Sequence, residues 1–316
     1  MTGPLEGIRV VDLTQVVSGP LATMLLADQG AEVVKVEPLG VGGDVTRLPS
    51  FAKGGISALF VNNNRGKRSL AVDLTKEEGK QIVIDLVEKA DVFIQNFRPG
   101  AIERLGLSYD ELKAVNPKLI YCSISGFGPD GPYSDRPVLD PVIQGLTSMV
   151  SRQLNPLIPF PDLVRNLVAD KSTALTSAQA ITAALFSRER TGEGQFLQIP
   201  MLDSCLYFFW VDGMMDLTML DDDVSPGITL AKVYNITNTS DGQLIYFAAN
   251  DKQRFGLLRA LGRDELCEDE RFSSLAAISN PENFAALGEI VAKEFEKVTN
   301  DEIIPKLIEH QVPCGP

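Results

Sequence analysis

The feature that most constrains this chain is the alternation of short β-rich runs with amphipathic helical stretches from Ile8 to Ile124. Ile8–Leu13 reads as a strand, Ser18-Gly19-Pro20 as a breaker, and Leu21–Gln29 as a helix stopped by Gly30. Glu32–Glu37 then reads as a second strand, which makes a βαβ unit. Thr75, with Glu78 three residues on, has the pattern of a capping box opening a helix to Ala90, ahead of a strand at Asp91–Asn96. Leu107–Val115 reads as another helix, Asn116-Pro117 as a break, and Leu119–Ile124 as a strand entering the Gly/Pro-rich loop Gly126–Pro137. Such alternation predicts an α/β fold with a parallel, doubly wound sheet.

Further along, Ser151–Pro161 carries three prolines and predicts an irregular surface segment. Asp170 opens an Ala/Leu-rich helix to Arg190, Gln195–Ile199 alternates like a strand, and Met201–Met219 is mostly apolar, ending in Asp221-Asp222-Asp223. A domain boundary is expected near this acidic stretch, setting the α/β residues 1–200 and a linker at 201–225 apart from a smaller α+β domain at 226–316. In the latter, Val233–Thr237, the Ser240-Asp241-Gly242 turn and Leu244–Ala248 predict a hairpin, followed by helices that include Phe284–Lys297. Gln311–Pro316 reads as turn residues.

Composition narrows the function. With 29 Lys+Arg against 42 Asp+Glu the chain carries a formal charge of −13, which argues against a general nucleic-acid binder and makes any anion site local. The longest apolar run, Cys205–Val211, is far short of a membrane span, and the N-terminus lacks a basic-then-apolar signal, so a cytoplasmic protein is expected. Cys122, Cys205, Cys267 and Cys314 are widely spaced with no C-x-x-C pair, as in reduced core thiols. No metal site is expected.

The first βα turn, Thr14–Pro20, lacks the glycines of a dinucleotide fingerprint, and neither a P-loop nor a nucleophile elbow is present. The single histidine, His310, lies near the end of the last helix, which excludes histidine triads and multi-histidine metal sites. Three candidates remain. Arg65-Gly66-Lys67-Arg68 puts three cations in four residues and could hold phosphates, although spacing alone favours a solvated turn. Asn96-Phe97-Arg98-Pro99-Gly100, with Arg104, stands at the carboxyl end of a predicted parallel strand, where open α/β sheets bind ligands; a plain strand-to-helix turn fits equally well. Asp170 fits a helix N-cap, the reading spacing favours, or a carboxylate nucleophile kept ionised by the helix end.

The ordered set Gly19-Pro20, Gly30–Glu37, Asn64–Ser69, Asn96–Gly100, Ser123–Gly128, Ala169-Asp170-Lys171 and Arg190–Gln195 resembles the class III CoA-transferase family, which includes formyl-CoA transferase and carnitine CoA-transferase. The resemblance implies a Rossmann-like large domain, a small domain reached by long linkers, and an interlocked homodimer. It also implies CoA and a small carboxylic acid as substrates, with no metal. In the family an aspartate matching Asp170 attacks the acyl-CoA thioester, and an aspartyl anhydride and an aspartyl-CoA thioester follow. The family's asparagine–phenylalanine pair carries over to Asn96-Phe97, which Arg98 follows; its next arginine carries over to Arg104 and its methionine along the CoA tail to Met201. Lys67 and Arg68 are expected phosphate contacts.

There are departures from the formyl-CoA transferase pattern. Val17 stands where those enzymes carry glutamine, Pro38 where they carry arginine, and Pro137 and Leu139 where they carry lysine and tyrosine, so oxalate or formate specificity is not implied. The family pattern continues past Val-Pro-Cys-Gly-Pro back into the large domain, a return segment not present before the sequence ends at Pro316. Two alternatives stand beside a transferase. An acyl-CoA racemase of the same superfamily would need a histidine where Val138-Leu139-Asp140 lies, and an inactive CoA-binding protein would bind CoA without forming an adduct at Asp170.

Overall fold

The structure, a computed structural model, describes residues 3–48, 51–153, 160–224, 227–234 and 236–316. Most of the irregular segment expected at Ser151–Pro161 lies outside the described residues. The chain divides into two compact units, Met1–Ser151 with Asp162–Phe209 and Arg152–Pro161 with Trp210–Pro316.

In the first unit the strands are β1 (Arg9–Asp12), β2 (Glu32–Pro38), the short hairpin β3 (Ala52–Lys53) and β4 (Ile56–Ser57), β5 (Arg68–Val72), β6 (Val92–Gln95), β7 (Ile120–Ser125) and β8 (Gln195–Pro200). Six of them form one parallel sheet in the order β5-β2-β1-β6-β7-β8. Adjacent residues serve opposite faces. Val10, Ile94 and Cys122 join Ala22, Leu26 and Ile181 on one side; Val11, Phe93 and Tyr121 join Val83, Val87 and Leu112 on the other. Strands buried on both faces read as the near-continuous apolar runs seen in the sequence. The order of the strands reverses between β1 and β6, so the segments leaving those two strands diverge and open a crevice at the sheet's carboxyl edge.

Beneath that edge lies a cluster of buried charges. Asp12, the last residue of β1, is fully buried and accepts from Lys67 Nζ at 3.0 Å; Lys67 Nζ also donates to the carbonyl of Pro20 and to Asn64 Oδ1, each at 2.8 Å. Burial would push the Asp12 carboxyl up, but Lys67 and Lys35, with Thr14 and Thr23 donating, hold it below its usual range. Burial lowers the Lys67 ammonium, and Asp12 opposes that shift. The Lys67 ammonium, expected to meet phosphate, is engaged here by Asp12, the Pro20 carbonyl and Asn64. Arg65 pairs with Asp28, and of these three cations Arg68, on β5, is the one that is exposed with no ion pair to a described residue.

Element boundaries differ where distant or competing partners intervene. The first helix runs Ser18–Asp28, so the expected breaker is its first turn, with Pro20 where no intrahelical N–H is needed. Thr75 caps nothing: its N–H and hydroxyl both donate to Asp73 Oδ1, and the helix begins at Glu77 and runs only to Val87.

The second unit carries strands β9 (Ile236–Asn238), β10 (Gln243–Tyr246) and β11 (Cys314–Gly315), antiparallel in the order β11-β10-β9. The expected hairpin is present with shorter strands. The expected turn at the end instead pairs as β11 with Ile245 and Tyr246. Helices Asp251–Ala260, Pro281–Phe295 and Asn300–Glu309 close a core that includes Leu257, Leu258, Val291, Phe295 and Leu307. Among the described residues no helix is long and apolar enough to cross a membrane.

Removing Lys67 would leave Asp12 buried without its main counter-charge. Lys67→Ala is expected to cost about 3–5 kcal/mol in urea unfolding, and the exposed Arg68→Ala less than about 0.5 kcal/mol. Equal small losses would contradict the buried-pair assignment.

Candidate active site

A cavity of about 660 Å³ occupies the crevice between β1 and β6. Its walls come from segments following the carboxyl ends of parallel strands: Gln15, Val16 and Ser18 after β1, Asn96–Pro99 after β6, and Ser125 and Gly126 at the end of β7. Pro137–Leu139, Asp170 and Met201 complete it. Of the residues singled out from the sequence, the cavity gathers Asp170, Asn96, Phe97, Arg98 and Met201. Lys67, Arg68 and Arg104 do not line it.

Asp170 is 8% exposed and lies three residues into the helix Val168–Thr191, so it is not the N-cap. The capping role falls to Asp140, whose Oδ2 accepts from the Asp170 backbone N–H at 2.9 Å. Helix starts leave such N–H groups without intrahelical partners, and a carboxylate from thirty residues upstream satisfies this one. Asp140 is itself held by Gln144 Nε2 at 2.6 Å, and Gln144 Oε1 accepts from the Val164 N–H at 2.9 Å, tying the loop before the helix to Asp140. The Asp170 side chain is left to face the cavity, which Ser18 also lines, and the N–H and hydroxyl of Ser18 act to lower its carboxyl. It therefore meets the positive end of a second helix, Ser18–Asp28.

Two glycines permit this convergence. A Cβ on Gly19 would stand 2.3 Å from Thr14 Cβ, and one on Gly126 would stand 2.1 Å from Val138 Cγ1. Either would push the helix start or the cavity wall away from Asp170.

Burial, followed by the nearby Asp140 charge, raises the Asp170 carboxyl from 3.8 to about 6, against the lowering effect of Ser18. It is thus mostly ionised at neutral pH yet poorly solvated, the condition of an activated carboxylate nucleophile.

Asn96 spends its amide on the loop after β1: Oδ1 accepts from the Gln15 N–H at 2.9 Å and Nδ2 donates to the Gln15 carbonyl at 2.8 Å. Phe97 presents its ring to the cavity while its N–H donates to Gln95 Oε1 at 2.7 Å. Met201, 7% exposed, is an apolar wall. Arg98 and Arg136 are the cavity's cations, and Arg136 stacks over the Tyr133 ring at 3.6 Å. Among the described residues neither has an ion pair. Sequence reasoning assigned no role to Ser18, Asp140, Gln144 or Arg136. Only the Asp140-Pro141 pair, a helix-start signal, could have drawn attention to Asp140.

Because the folded carboxyl of Asp170 titrates higher than an unfolded one, the native state holds the extra proton between about pH 4 and 6, and stability falls as pH rises through that window. Asp170→Asn is expected to be more stable than the parent at pH 7 by at most about 3 kcal/mol, with the gap closing below about pH 4. A pH-independent gap would contradict the raised ionisation.

A profile described as CoA-transferase family III matches residues 5–316. The chain is 36% identical over 322 residues to a succinate–glutarate CoA-transferase of Agrobacterium fabrum, covering 99% of this chain and 80% of that protein. It is 31% identical over 340 residues to a formyl-CoA:oxalate CoA-transferase of Streptomyces avermitilis, covering 100% and 80%. Among solved structures, Rv3272 from Mycobacterium tuberculosis superposes with a TM-score of 0.86 at 33% identity, covering 99% of this chain and 84% of that one. A CAIB/BAIF family protein from Brucella suis gives 0.82 at 36%, covering 100% and 84%. With the whole described sheet and cavity inside the matched span, the chain belongs to CoA-transferase family III.

Proposed function

We propose that this chain is an acyl-CoA:carboxylate CoA-transferase with Asp170 as its nucleophile. The observation that carries the reading is the buried Asp170 carboxyl lining the switch-point cavity beside Ser18, raised by burial to about 6. Asp170 attacks the thioester carbonyl, the C–S bond breaks, and an acyl-aspartyl anhydride and CoA thiolate result. The thiolate attacks the aspartyl carbonyl, releases the donor acid and leaves an aspartyl-CoA thioester. The acceptor carboxylate repeats the sequence in reverse. A carboxylate nucleophile suits this route because the anhydride keeps the activation of the thioester, provided water is excluded.

CoA enters as part of the donor and leaves on the acceptor. Arg98 and Arg136 are the cations at hand for its phosphates and for the acid. Relatives named for glutarate, oxalate and mesaconate support a small carboxylic acid as acceptor. The same reading carries a homodimer. Racemisation needs a base on each side of the α-carbon, and among the described residues Asp170 is the sole carboxylate lining the cavity, with no histidine beside it.

Intact-protein mass spectrometry after incubation with a panel of acyl-CoAs is expected to show a CoA or acyl adduct mapped to Asp170. Asp170→Ala is expected to lose the adduct and at least about a thousandfold in turnover. Unlabelled protein that still binds CoA would sink the transferase reading in favour of an inactive CoA-binding protein.

A further inference from the structure

The loop that carries Ser18 to Asp170 is held by side chains at three consecutive residues. Lys35 Nζ donates to the Thr14 carbonyl at 2.7 Å, Asn96 takes both backbone groups of Gln15, and Asp44 accepts from the Val16 N–H at 3.3 Å to each oxygen. Val16 has φ +71°, a left-handed conformation that a β-branched side chain avoids. Such strain persists only where its surroundings impose it, and it concentrates at functional sites. Here the imposing group is identifiable. Asp44 is 1% exposed, ion-paired to the equally buried Lys35 at 3.0 Å, and held by the Thr46 N–H and hydroxyl at 2.9 and 2.7 Å. Its own N–H donates to Glu37 Oε2 at 3.0 Å, and Glu37 is clamped in turn by Arg47.

We propose that Asp44, backed by Lys35, is a positioning residue for the transfer reaction: it holds Val16 in the left-handed conformation and so keeps Ser18 on the cavity wall that it shares with Asp170. Asp44 touches no reacting atom in this account. It acts through two residues of backbone, and the proposal rests on the reading of Asp170 as nucleophile only for its effect on turnover. If Val16 relaxed to negative φ, Ser18 would swing from the carboxylate, and loss of a donor to the charged form raises the midpoint at which that form appears. Asp140 is the charge that bears on Asp170, while Lys35, Arg47 and Lys67 bear on or near Asp44. Removing Asp44 and Lys35 together deletes one charge of each sign, so a shift at Asp170 would report geometry rather than net charge.

The test is the Asp170 titration followed by ¹³Cγ-aspartate NMR, its signal assigned by loss in Asp170→Asn, in parallel with steady-state kinetics. Asp44→Ala with Lys35→Met leaves no unpaired buried charge from the pair. It is expected to raise the midpoint by about one unit from the value of about 6. The same variant is expected to lower kcat at least about thirtyfold, with KM for acyl-CoA changed less than about threefold. Adding Val16→Gly is expected to recover at least about tenfold in kcat, because glycine adopts positive φ without cost. Val16→Pro keeps the ion pair, sets φ near −65° and deletes the N–H, so it is expected to raise the midpoint in the same direction even if the double variant does not fold. A midpoint and kcat unchanged from the parent in a folded double variant, or in Val16→Pro, would overturn the proposal. If the parent shows the titration and the variants shift it while no acyl-CoA labels Asp170, the transferase reading falls and the positioning of the carboxylate stands.

Discussion

The buried pair of Asp12 and Lys67 is the interaction on which the carboxyl edge of the sheet depends. It joins the end of β1 to the residue before β5, and the same ammonium holds the first turn of the Ser18–Asp28 helix through the Pro20 carbonyl. Charges this deep are tolerated because each finds a partner of opposite sign and further hydrogen bonds, Thr14 and Thr23 on Asp12 and Asn64 on Lys67. Such a pair adds little net stability compared with apolar side chains, yet either charge alone would be costly. Its contribution is to fix where the β1 loop and the following helix start, and with them the crevice.

From that fixed edge the surroundings of Asp170, the proposed nucleophile, are assembled out of two helix starts. The helix Ser18–Asp28 brings its first residue to the cavity that Asp170 lines, while the helix Val168–Thr191 carries Asp170 and has its own free N–H answered by Asp140. Asp140 thus has two opposed effects: it anchors the backbone of Asp170 and its charge helps raise the carboxyl. The balance leaves a carboxylate that is charged at neutral pH but short of solvent, as the proposed attack on a thioester requires.

How much of this was legible in the sequence follows from the range of each interaction. The parallel sheet was readable because two-sided burial writes uninterrupted apolar strands between amphipathic helices, as in Val10-Val11 and Phe93-Ile94. Thr75 misled because Asp73, two residues away, competed for its hydroxyl and N–H. Asp170 matched an N-cap because local windows do not reveal a cap contributed by Asp140. Spacing favoured a solvated turn for the three cations in Arg65–Arg68 over a phosphate site, and the fold sends Arg65 to Asp28, Lys67 inward to Asp12 and Arg68 to solvent. The resemblance to known transferases located Asp170, Asn96, Phe97, Arg98 and Met201, all on the cavity. Ser18, Gln144 and the Asp44 clamp act through tertiary contacts that no spacing announces.

The proposed route exchanges a carboxyl oxygen of Asp170 with the substrate acids during transfer. Turnover with an acceptor acid labelled with ¹⁸O in both carboxyl oxygens, followed by peptide mass spectrometry, tests it directly. When the acceptor carboxylate forms the anhydride with Asp170 and CoA thiolate then attacks the acceptor carbonyl, one labelled oxygen must remain on the aspartate. ¹⁸O is expected in the peptide that bears Asp170 and in no other acidic residue. Full conversion of acceptor to its CoA thioester with an unlabelled Asp170 would contradict it.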